Sequence, residues 1–272
     1  MRSRRKLLFV VVVALGLIVG SIGIASAITN GQPDGTSHPY VGLLVFDDAP
    51  GHPAWRCSGS LLAPNLVLTA GHCTEGAVAA RVWFNEVVQG NTEYPSSGPS
   101  SYDGIPYTNP EFCLGCGNGL PGFAHRDVGV VVLSEPVPAS VVSEYALLPA
   151  AGLVDTLKNK TRVDFVGYGV QSQIHGGGKP YWTGLRVRLY APSELVSGKF
   201  VHSAEFMRLA LNPGGGSGGT CFGDSGGPDL LGGTRTVLAV NSYVTNSNCS
   251  GVGYSMRVDI PEVLDWINSY LP

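Results

Sequence analysis

The sequence predicts an all-β fold built of short strands in series, arranged as a sandwich or a barrel. Strand-like runs rich in Val, Leu and aromatic residues recur between turns of Gly, Pro, Ser and Asn. Glycine accounts for 38 of the 272 residues, about twice its usual share, which favours many tight turns over long helices. The predicted strands span residues 40–46, 65–70, 80–84, 127–133, 161–169, 185–191, 236–243 and 253–258.

Two long segments between these strands are predicted to be loops. Residues 90–126 and 212–220 are polar or glycine-rich, and loops of this length in a compact domain are usually functional. The proline-containing stretch at 135–140 divides the strand-rich chain roughly in half, into residues 28–140 and 141–258. The sequence shows no exact repeat, but two similar halves fit this division.

One helix is predicted, at the C-terminus, over residues 259–271. Asp259 is suited to cap its first turn, and Pro261 is favoured within that turn. Apolar side chains fall on one face of this helix at Val263, Ile267 and Tyr270. This spacing is typical of a helix that buries one face.

The N-terminus is predicted to be a cleaved signal peptide, residues 1–27. Residues 2–6 are almost all basic, residues 7–24 are almost wholly apolar, and the A-x-A sequence at 25–27 ends the run. The alternative is an uncleaved membrane anchor, because the apolar run approaches the length that spans a bilayer. The A-x-A site favours cleavage, which leaves 245 residues that begin at Ile28 and predicts a secreted protein without a membrane attachment.

The length and charge of the remaining chain exclude some classes of function. Such a chain is long enough for one large domain or two half-size domains. The whole sequence has a net charge of −3, and because the leader carries four positive charges, the rest has a net charge of −7. This balance does not favour binding to nucleic acid. No cofactor and no metal ion are predicted.

Six cysteines in an exported chain suggest three disulfides, although the count alone leaves their pairing open. The C-x-x-C pair at 113–116 has the spacing of a redox or zinc half-site. The sequence contains no second C-x-x-C, so a local disulfide is favoured. The six residues are Cys57, Cys73, Cys113, Cys116, Cys221 and Cys249.

A candidate nucleophile lies in the sequence GTCFGDSGGP, residues 219–228. Ser225 has glycine at positions −2, +1 and +2, which lets a substrate backbone approach its hydroxyl. A serine hydroxyl is a poor nucleophile until a base takes its proton, so a histidine and an orienting group are required; without them the segment is a flexible loop with an idle serine. The spacing also matches the nucleophile elbow of α/β-hydrolases, but that fold needs a histidine downstream, and all six histidines lie upstream.

The base and its orienting group are found in two other segments. His72 ends the apolar run LVLTAGHC beside Cys73, where a disulfide would hold it. Asp127 leads directly into an apolar strand, where a buried carboxylate needs a partner such as an imidazole N–H. This setting disfavours the alternative that His72 is a structural or surface histidine. The chain order of the three candidates is therefore His72, Asp127, Ser225.

With this order, the chain resembles the chymotrypsin/trypsin-like serine proteases. The resemblance covers residues 28–272 and rests on four segments, CSGSLLAPNLVLTAGHC, RDVGVVVL, GTCFGDSGGP and GVGYSMRV. It implies two perpendicular six-stranded antiparallel β-barrels with the active site between them, followed by the C-terminal α-helix. It also implies a secreted, monomeric endopeptidase that acts on protein or peptide substrates, with a protein protease inhibitor as a candidate partner.

The resemblance implies a role for each candidate catalytic residue. His72 would act as general base and then general acid, Asp127 would hold its tautomer, and Ser225 would attack the substrate carbonyl. The backbone N–H groups of Gly223 and Ser225 would form the oxyanion hole. Ser242 matches a family serine that hydrogen-bonds to the triad aspartate.

Four positions describe the substrate pocket that the resemblance implies. Gly219 stands where members that cut after Lys or Arg carry aspartate, so a buried cation would lack a partner. Val244 and Val252 align with positions often occupied by glycine, and their side chains would restrict the pocket to small or medium aliphatic residues. Tyr243 lies in the strand that pairs with the substrate backbone, at a position where tryptophan is usual.

Two of the disulfides follow from the resemblance and the third is local: Cys57–Cys73, Cys221–Cys249 and Cys113–Cys116. The first would brace the loop that carries His72, and the second would brace the substrate pocket. The third lies in an inserted loop, residues 104–122, which has no common counterpart in the family.

The resemblance also gives a role to the residue that follows the leader. Family members usually begin as zymogens, in which removal of a pro-segment frees an isoleucine amine that pairs with the aspartate before the nucleophile, here Asp224. In this chain Ile28 follows the A-x-A site directly, so signal peptidase itself is expected to create the activating terminus. Asp224 would then compensate a buried positive charge.

Two other functions remain open at this point. A non-catalytic relative would keep the fold as a binding module, but such relatives usually lack a triad residue, and this chain has all three. A secreted esterase would use the same triad. Only a comparison of amide with ester hydrolysis separates an esterase from a peptidase.

Overall fold

The computed structural model describes residues 28–116, 124–174, 181–196, 204–211 and 218–272. The predicted signal peptide lies outside the described residues, and so do residues 117–123 and 212–217 of the two predicted loops. Within the described residues, no helix is long and apolar enough to cross a membrane.

Strands make up most of the regular structure, which confirms the all-β prediction. In chain order, the described strands are β1 (Gln32–Pro33), β2 (Val41–Ala49), β3 (His52–Ala63), β4 (Leu66–Thr69), β5 (Ala79–Trp83), β6 (Tyr102–Thr108), β7 (Cys113–Leu114), β8 (Ala124–His125), β9 (Gly129–Leu133), β10 (Arg162–Gly167), β11 (Ser172–Ile174), β12 (Tyr181–Thr183), β13 (Leu189–Glu194), β14 (Phe206–Leu211), β15 (Pro228–Leu231), β16 (Val237–Val244) and β17 (Gly251–Arg257). Two short pairs, β7 with β8 and β11 with β12, stand apart from the main sheets.

The first half of the chain closes into a barrel of six antiparallel strands, in the order β2-β3-β4-β9-β6-β5. Its interior is filled by apolar side chains such as those of Phe46 and Trp83, which are fully buried. The end of β4 lies beside the start of β9, where Thr69 pairs with Gly129. The segments that carry His72 and Asp127 therefore leave the barrel at the same point.

The second half of the chain forms a curled sheet in the order β1-β13-β10-β15-β16-β17-β14. Six of these strands belong to the second half, where a closed six-stranded barrel was predicted. An isolated bridge joins Leu195, which follows β13, to Leu209 of the edge strand β14. The sheet therefore curls into a barrel-like layer without the continuous pairing that closes the first barrel. The seventh strand, β1, comes from the N-terminal segment and pairs with β13.

Several strands differ from the prediction. The longest, β3, was not predicted, and neither were β14 and β15. β6 lies inside the segment at 90–126 that was predicted to be a loop. Its exposed residues alternate with a buried glycine and a proline, so the segment has no apolar run that would predict a strand. The strand predicted at 185–191 begins only at Leu189.

The C-terminal helix is shorter than predicted. The described α-helices are α1 (Gly71–Thr74) and α2 (Pro261–Asn268), and a 3₁₀ turn spans Leu153–Thr156. The prediction that Asp259 caps α2 is wrong, because Ile260 is the N-cap residue and makes no side-chain cap. The Asp259 carboxylate instead accepts hydrogen bonds from the Arg257 guanidinium and from the Val154 N–H. The predicted apolar face is present, since Val263 and Ile267 are buried.

A single serine of the first barrel joins it to the loop that carries the candidate nucleophile. The Ser58 N–H donates to the Ser225 carbonyl at 2.9 Å. The Ser58 hydroxyl donates to the Gly223 carbonyl at 2.9 Å and accepts from the Tyr168 N–H at 3.0 Å. These bonds hold residues 223–225 against the first barrel, at the junction of the two halves.

Candidate active site

His72 lies on the one-turn helix α1, immediately after β4. A disulfide joins its neighbour Cys73 to Cys57 of β3, and the Trp55 indole N–H donates to the Cys73 carbonyl at 2.8 Å. Gly71 packs tightly, because a Cβ there would lie 2.8 Å from the Phe112 ring. These contacts fix α1 while the His72 side chain stays 29% exposed.

His72 and Asp127 are joined by two hydrogen bonds. The His72 Nδ1 lies 2.8 Å from Asp127 Oδ2, and the His72 backbone N–H donates to Asp127 Oδ1 at 2.7 Å. The Ser242 hydroxyl also donates to Asp127 Oδ2, and the carboxylate is fully buried. With Nδ1 donating to Asp127, the Nε2 of His72 is the nitrogen that remains to accept a proton.

Burial and charge shift the pKa values of this pair in opposite directions. Burial disfavours a charged imidazole, but the negative charge of Asp127 and the hydrogen bond to it outweigh that effect, so the pKa of His72 is raised. Burial also disfavours the Asp127 carboxylate, but the charge of His72 and the hydrogen bonds from His72 and Ser242 lower the pKa of Asp127 below its ordinary value. The pair therefore favours an ionised carboxylate that stabilises an imidazolium.

Ser225 lies in a tight turn between Gly223 and Gly226, whose φ angles are +94° and +73°. Only glycine adopts such angles readily, and a Cβ on Gly226 would lie 2.6 Å from the Ala70 nitrogen. Ser225 is partly exposed. Within the described part of the chain, no hydrogen bond joins its hydroxyl to His72. Such bonds are often long before substrate binds, so this does not argue against the pair.

The turn that carries Ser225 contains the two N–H groups of the predicted oxyanion hole, those of Gly223 and Ser225. The Phe222 carbonyl accepts from the Val170 N–H at 2.8 Å, which fixes the peptide that joins Phe222 to Gly223. Because C=O and N–H point in opposite directions in a trans peptide, the Gly223 N–H faces away from Val170. Neither this N–H nor that of Ser225 donates to an acceptor among the described residues. The two N–H groups of the predicted oxyanion hole therefore have no acceptor in the described part of the chain.

A cavity of about 170 Å³ opens beside Ser225. Two of the four predicted pocket residues, Tyr243 and Val244, line it, while Gly219 and Val252 are not among its described lining residues. The sequence reasoning missed Thr220 and Phe222, although both lie within the serine motif, and Asn241, which directly precedes Ser242. The described lining is Thr220, Cys221, Phe222, Ser225, Asn241, Ser242, Tyr243 and Val244.

Gly219 and Val252 take part in backbone pairing near the cavity. The Gly219 carbonyl accepts from the Thr29 N–H at 2.9 Å, and its own N–H donates to the Thr29 carbonyl at 3.1 Å. A Cβ on Gly219 would lie 3.1 Å from the Leu211 Cβ. Val252, partly exposed, lies opposite Ala210 in the sheet.

Ile28 and Asp224 are both fully buried. The Ile28 side chain lies in an apolar cluster of the second half that includes Phe165 and Leu238. The Asp224 carboxylate accepts from the Gly169 N–H at 2.8 Å and the Cys221 N–H at 3.0 Å. Burial outweighs these two bonds and raises the pKa of Asp224 to about 7. No ion pair of Asp224 occurs among the described residues.

The six cysteines form the three predicted disulfides. Cys113–Cys116 closes the turn after β7, which pairs with β8 just before Asp127. The other two are Cys57–Cys73 and Cys221–Cys249. His72 lies close to the first of these, but disulfide sulfurs are not thiolates, so this group does not offer a metal the usual ligands.

A family model described as Trypsin matches residues 28–267. This chain belongs to the trypsin family of serine proteases. It is a serine endopeptidase, and protein or peptide substrates follow from membership of the family.

Relatives and solved structures agree with this family. The chain is 31% identical to a trypsin from Saccharopolyspora erythraea, over 76% of this chain and 81% of that protein. It is 27% identical to human chymotrypsin-like elastase family member 3B, over 89% of this chain and 88% of that protein. The structure of HL collagenase matches 90% of this chain and all of that one, with a TM-score of 0.68 at 20% identity, which shows the fold.

Proposed function

We propose that this chain is a secreted serine endopeptidase that cleaves peptide bonds with His72, Asp127 and Ser225. The proposal rests on the hydrogen bonds that join Ser242 to Asp127 and Asp127 to His72. Ser225 lines the adjacent cavity. The Ser225 hydroxyl oxygen bonds to the substrate carbonyl carbon while His72 Nε2 takes the hydroxyl proton. Asp127 stabilises the resulting imidazolium and holds its orientation.

The remaining steps return the enzyme to its starting state. The tetrahedral oxyanion accepts hydrogen bonds from the Gly223 and Ser225 N–H groups, and losing one such donor costs about 3 kcal/mol in the barrier. His72 then gives its proton to the leaving amine as the C–N bond breaks, which leaves an ester on Ser225. Water attacks this ester, His72 takes the proton of the water, and the acid product leaves as Ser225 is protonated again.

The proposed specificity is for a small or medium aliphatic residue before the scissile bond. Val244 narrows a cavity of about 170 Å³, which leaves little room for an aromatic side chain. None of its described lining residues is charged, so the ammonium or guanidinium of Lys or Arg would be buried without a partner. Similarity to a chymotrypsin-like elastase supports the same preference.

The proposed activation step is cleavage before Ile28, directly by signal peptidase during secretion. Ile28 has a φ of +53° in the full chain, which is a strained value for a β-branched residue, and cleavage removes the peptide bond that defines it. The side chain is already buried, and the buried Asp224 carboxylate has no ion pair among the described residues, although it senses the charge of Arg56. The new ammonium would supply that ion pair. We also propose that the secreted enzyme is a monomer, without a membrane anchor, and that a protein inhibitor restrains it.

Two variants and two substrates test this function. Ser225→Ala and His72→Ala should each lower the turnover of an aliphatic peptide amide by several orders of magnitude while circular dichroism stays unchanged, because the triad acts as a unit. The matched ester measures the rival esterase activity. Hydrolysis of the ester alone would identify an esterase, and equal peptidase activity in Ser225→Ala would overturn the proposal.

A further inference from the structure

Arg56 lies on β3, directly before Cys57 and beside the candidate oxyanion loop. Its Nε is 3.4 Å from the position that a Cβ on Gly223 would occupy. Its Nη2 is 3.0 Å from the corresponding position on Gly184. The guanidinium therefore lies between the loop that carries Ser225 and the segment around Gly184.

The charge of Arg56 has no partner of its own among the described residues, which give it neither a salt bridge nor a side-chain hydrogen bond. Its side chain is partly exposed. The buried Asp224 senses its positive charge, which favours the ionised carboxylate, but backbone N–H groups already occupy that carboxylate. An approaching anion would thus find an available guanidinium.

Arg56 is outside the cavity that receives the residue before the scissile bond, whose described lining comes from residues 220–225 and 241–244. Arg56 is instead close to the segment of the candidate base. Its chain neighbour Cys57 forms a disulfide with Cys73, which directly follows His72. In the proposed mechanism His72 protonates the leaving amine, so the leaving half of the substrate begins beside His72, close to this disulfide. Arg56 borders this region.

A hollow of about 340 Å³ adjoins Arg56, and Trp55 and Tyr94 contribute aromatic surface to it. A second cation, Arg186, lies 4.3 Å from the centre of the Tyr94 ring. Asp47 is paired with Arg81, whereas Glu93 accepts a hydrogen bond from the neutral Ser100 hydroxyl and keeps its negative charge. Arg56 and Arg186 therefore both border aromatic surface at this hollow.

We propose that Arg56 selects substrates that carry Asp or Glu as the first or second residue after the scissile bond. The guanidinium binds the carboxylate by charge-assisted hydrogen bonds. This inference rests on the proposed function, because it requires that Ser225 and His72 define where the substrate is cut.

Matched internally quenched peptides test the inference. All share Ala-Ala-Val before the scissile bond, and they differ only in Asp, Asn or Lys at the first or second position after it. We expect wild type to cleave the better Asp peptide about five- to tenfold faster in kcat/KM than its Asn counterpart. This ratio should fall as salt is raised, because screening weakens a partly exposed ion pair.

Substitutions assign the preference to one side chain. In Arg56→Gln the Asp/Asn ratio should fall to about one, and in Arg56→Glu the Lys peptide should become the better substrate. A general loss of activity would not produce that reversal. Arg235→Gln removes another partly exposed arginine, one paired with Glu144, and should keep the wild-type ratio.

Failure of this inference is distinguishable from failure of the proposed function. An ester with the same acyl group and a neutral alcohol has no residue after the scissile bond. If wild type hydrolyses the ester and the peptides but shows no preference for Asp, the role of Arg56 is wrong and the proposed function stands. A preference that survives in Arg56→Gln also overturns it. If neither ester nor peptide is hydrolysed, both proposals fail.

Discussion

Cleavage before Ile28 is predicted to change how the stability of this protease depends on pH. In the full chain, burial raises the pKa of Asp224 to about 7, whereas an unfolded aspartate titrates near 3.9. At pH values between these two pKa values, Asp224 is deprotonated in the unfolded chain and protonated in the folded chain. The free energy of unfolding therefore falls as the pH rises. A difference of roughly three pKa units corresponds to about 4 kcal/mol of stability lost between pH 4 and pH 7.

In the chain that begins at Ile28, a buried ammonium would compensate the ionised Asp224, and this loss should disappear. The comparison uses Ser225→Ala proteins, which do not digest themselves, with and without a methionine before Ile28. Urea unfolding measures their free energies of unfolding from pH 4 to pH 7. Over this range, the free energy of unfolding of the extended protein should fall by about 4 kcal/mol more than that of the mature protein. Buried acids that do not interact with Asp224 cancel in the comparison, and Asp229, whose pKa the charge of Asp224 raises, is replaced by asparagine in both proteins.

Asp224→Asn in the extended protein provides the control. It removes the titrating group but keeps a side chain of the same shape, so the extra pH dependence should vanish. Parallel profiles for the extended and mature proteins would refute the pairing of Ile28 with Asp224. An extra pH dependence that persists in Asp224→Asn would show that another group is responsible.

Three further predictions concern maturation, specificity and the core. Terminal sequencing of secreted protein should read Ile-Thr-Asn-Gly, and a methionine before Ile28 should leave a folded protein with little peptidase activity; full activity there would contradict the proposed activation. Peptides with Ala, Val or Leu before the scissile bond should be cut faster than those with Arg, Lys or Trp, and Val244→Gly should raise kcat/KM for aromatic residues roughly tenfold; a preference for Arg would contradict the proposed pocket. Asp229 is fully buried, and neither of its carboxylate oxygens has a partner with hydrogen-bond geometry among the described residues, although the Ser255 hydroxyl is near enough to favour the charged form. Burial raises its pKa, so Asp229→Val should stabilise the protein by about 1–3 kcal/mol, with the gain growing as the pH rises above 4. A lower Tm for the valine variant would contradict this reading of the core.

The candidate triad could be found from sequence because each member lies in a segment with its own local signal. Ser225 is surrounded by glycines that let its turn form, and His72 stands next to a cysteine at the end of an apolar strand. Asp127 lies two residues before β9, a strand whose side chains are mostly buried. Only the hydrogen bonds between His72 and Asp127 and the position of Ser225 relative to them required the fold, because these residues are far apart in the chain.

Elements without a continuous apolar run were harder to predict. β3 begins with exposed and half-buried residues such as His52 and Arg56, and only its second half is buried. β6 is exposed on alternate residues and contains Gly104 and Pro106, so its sequence predicts a loop. Asp259 was predicted to be a cap from its position alone, but the nearby Arg257 binds its carboxylate.

Contacts between distant segments could not be inferred from local pattern. Gly219 was assigned to the pocket by its distance from Ser225, but the structure shows it paired with Thr29 at the start of the described chain. Arg56 gave no signal in the sequence. Its significance comes from its closeness to Gly223, which lies in the other half of the chain.

Labelling with a fluorophosphonate probe tests the central claim most directly. The probe reacts with a serine hydroxyl only where a base activates it, so peptide mapping of the mature wild-type protein should find one probe per chain, on Ser225. Ser225→Ala and His72→Ala proteins should remain unlabelled under the same conditions. Labelling of the Ser225→Ala protein, or an absence of label in active wild type, would contradict the assignment of Ser225 as the nucleophile.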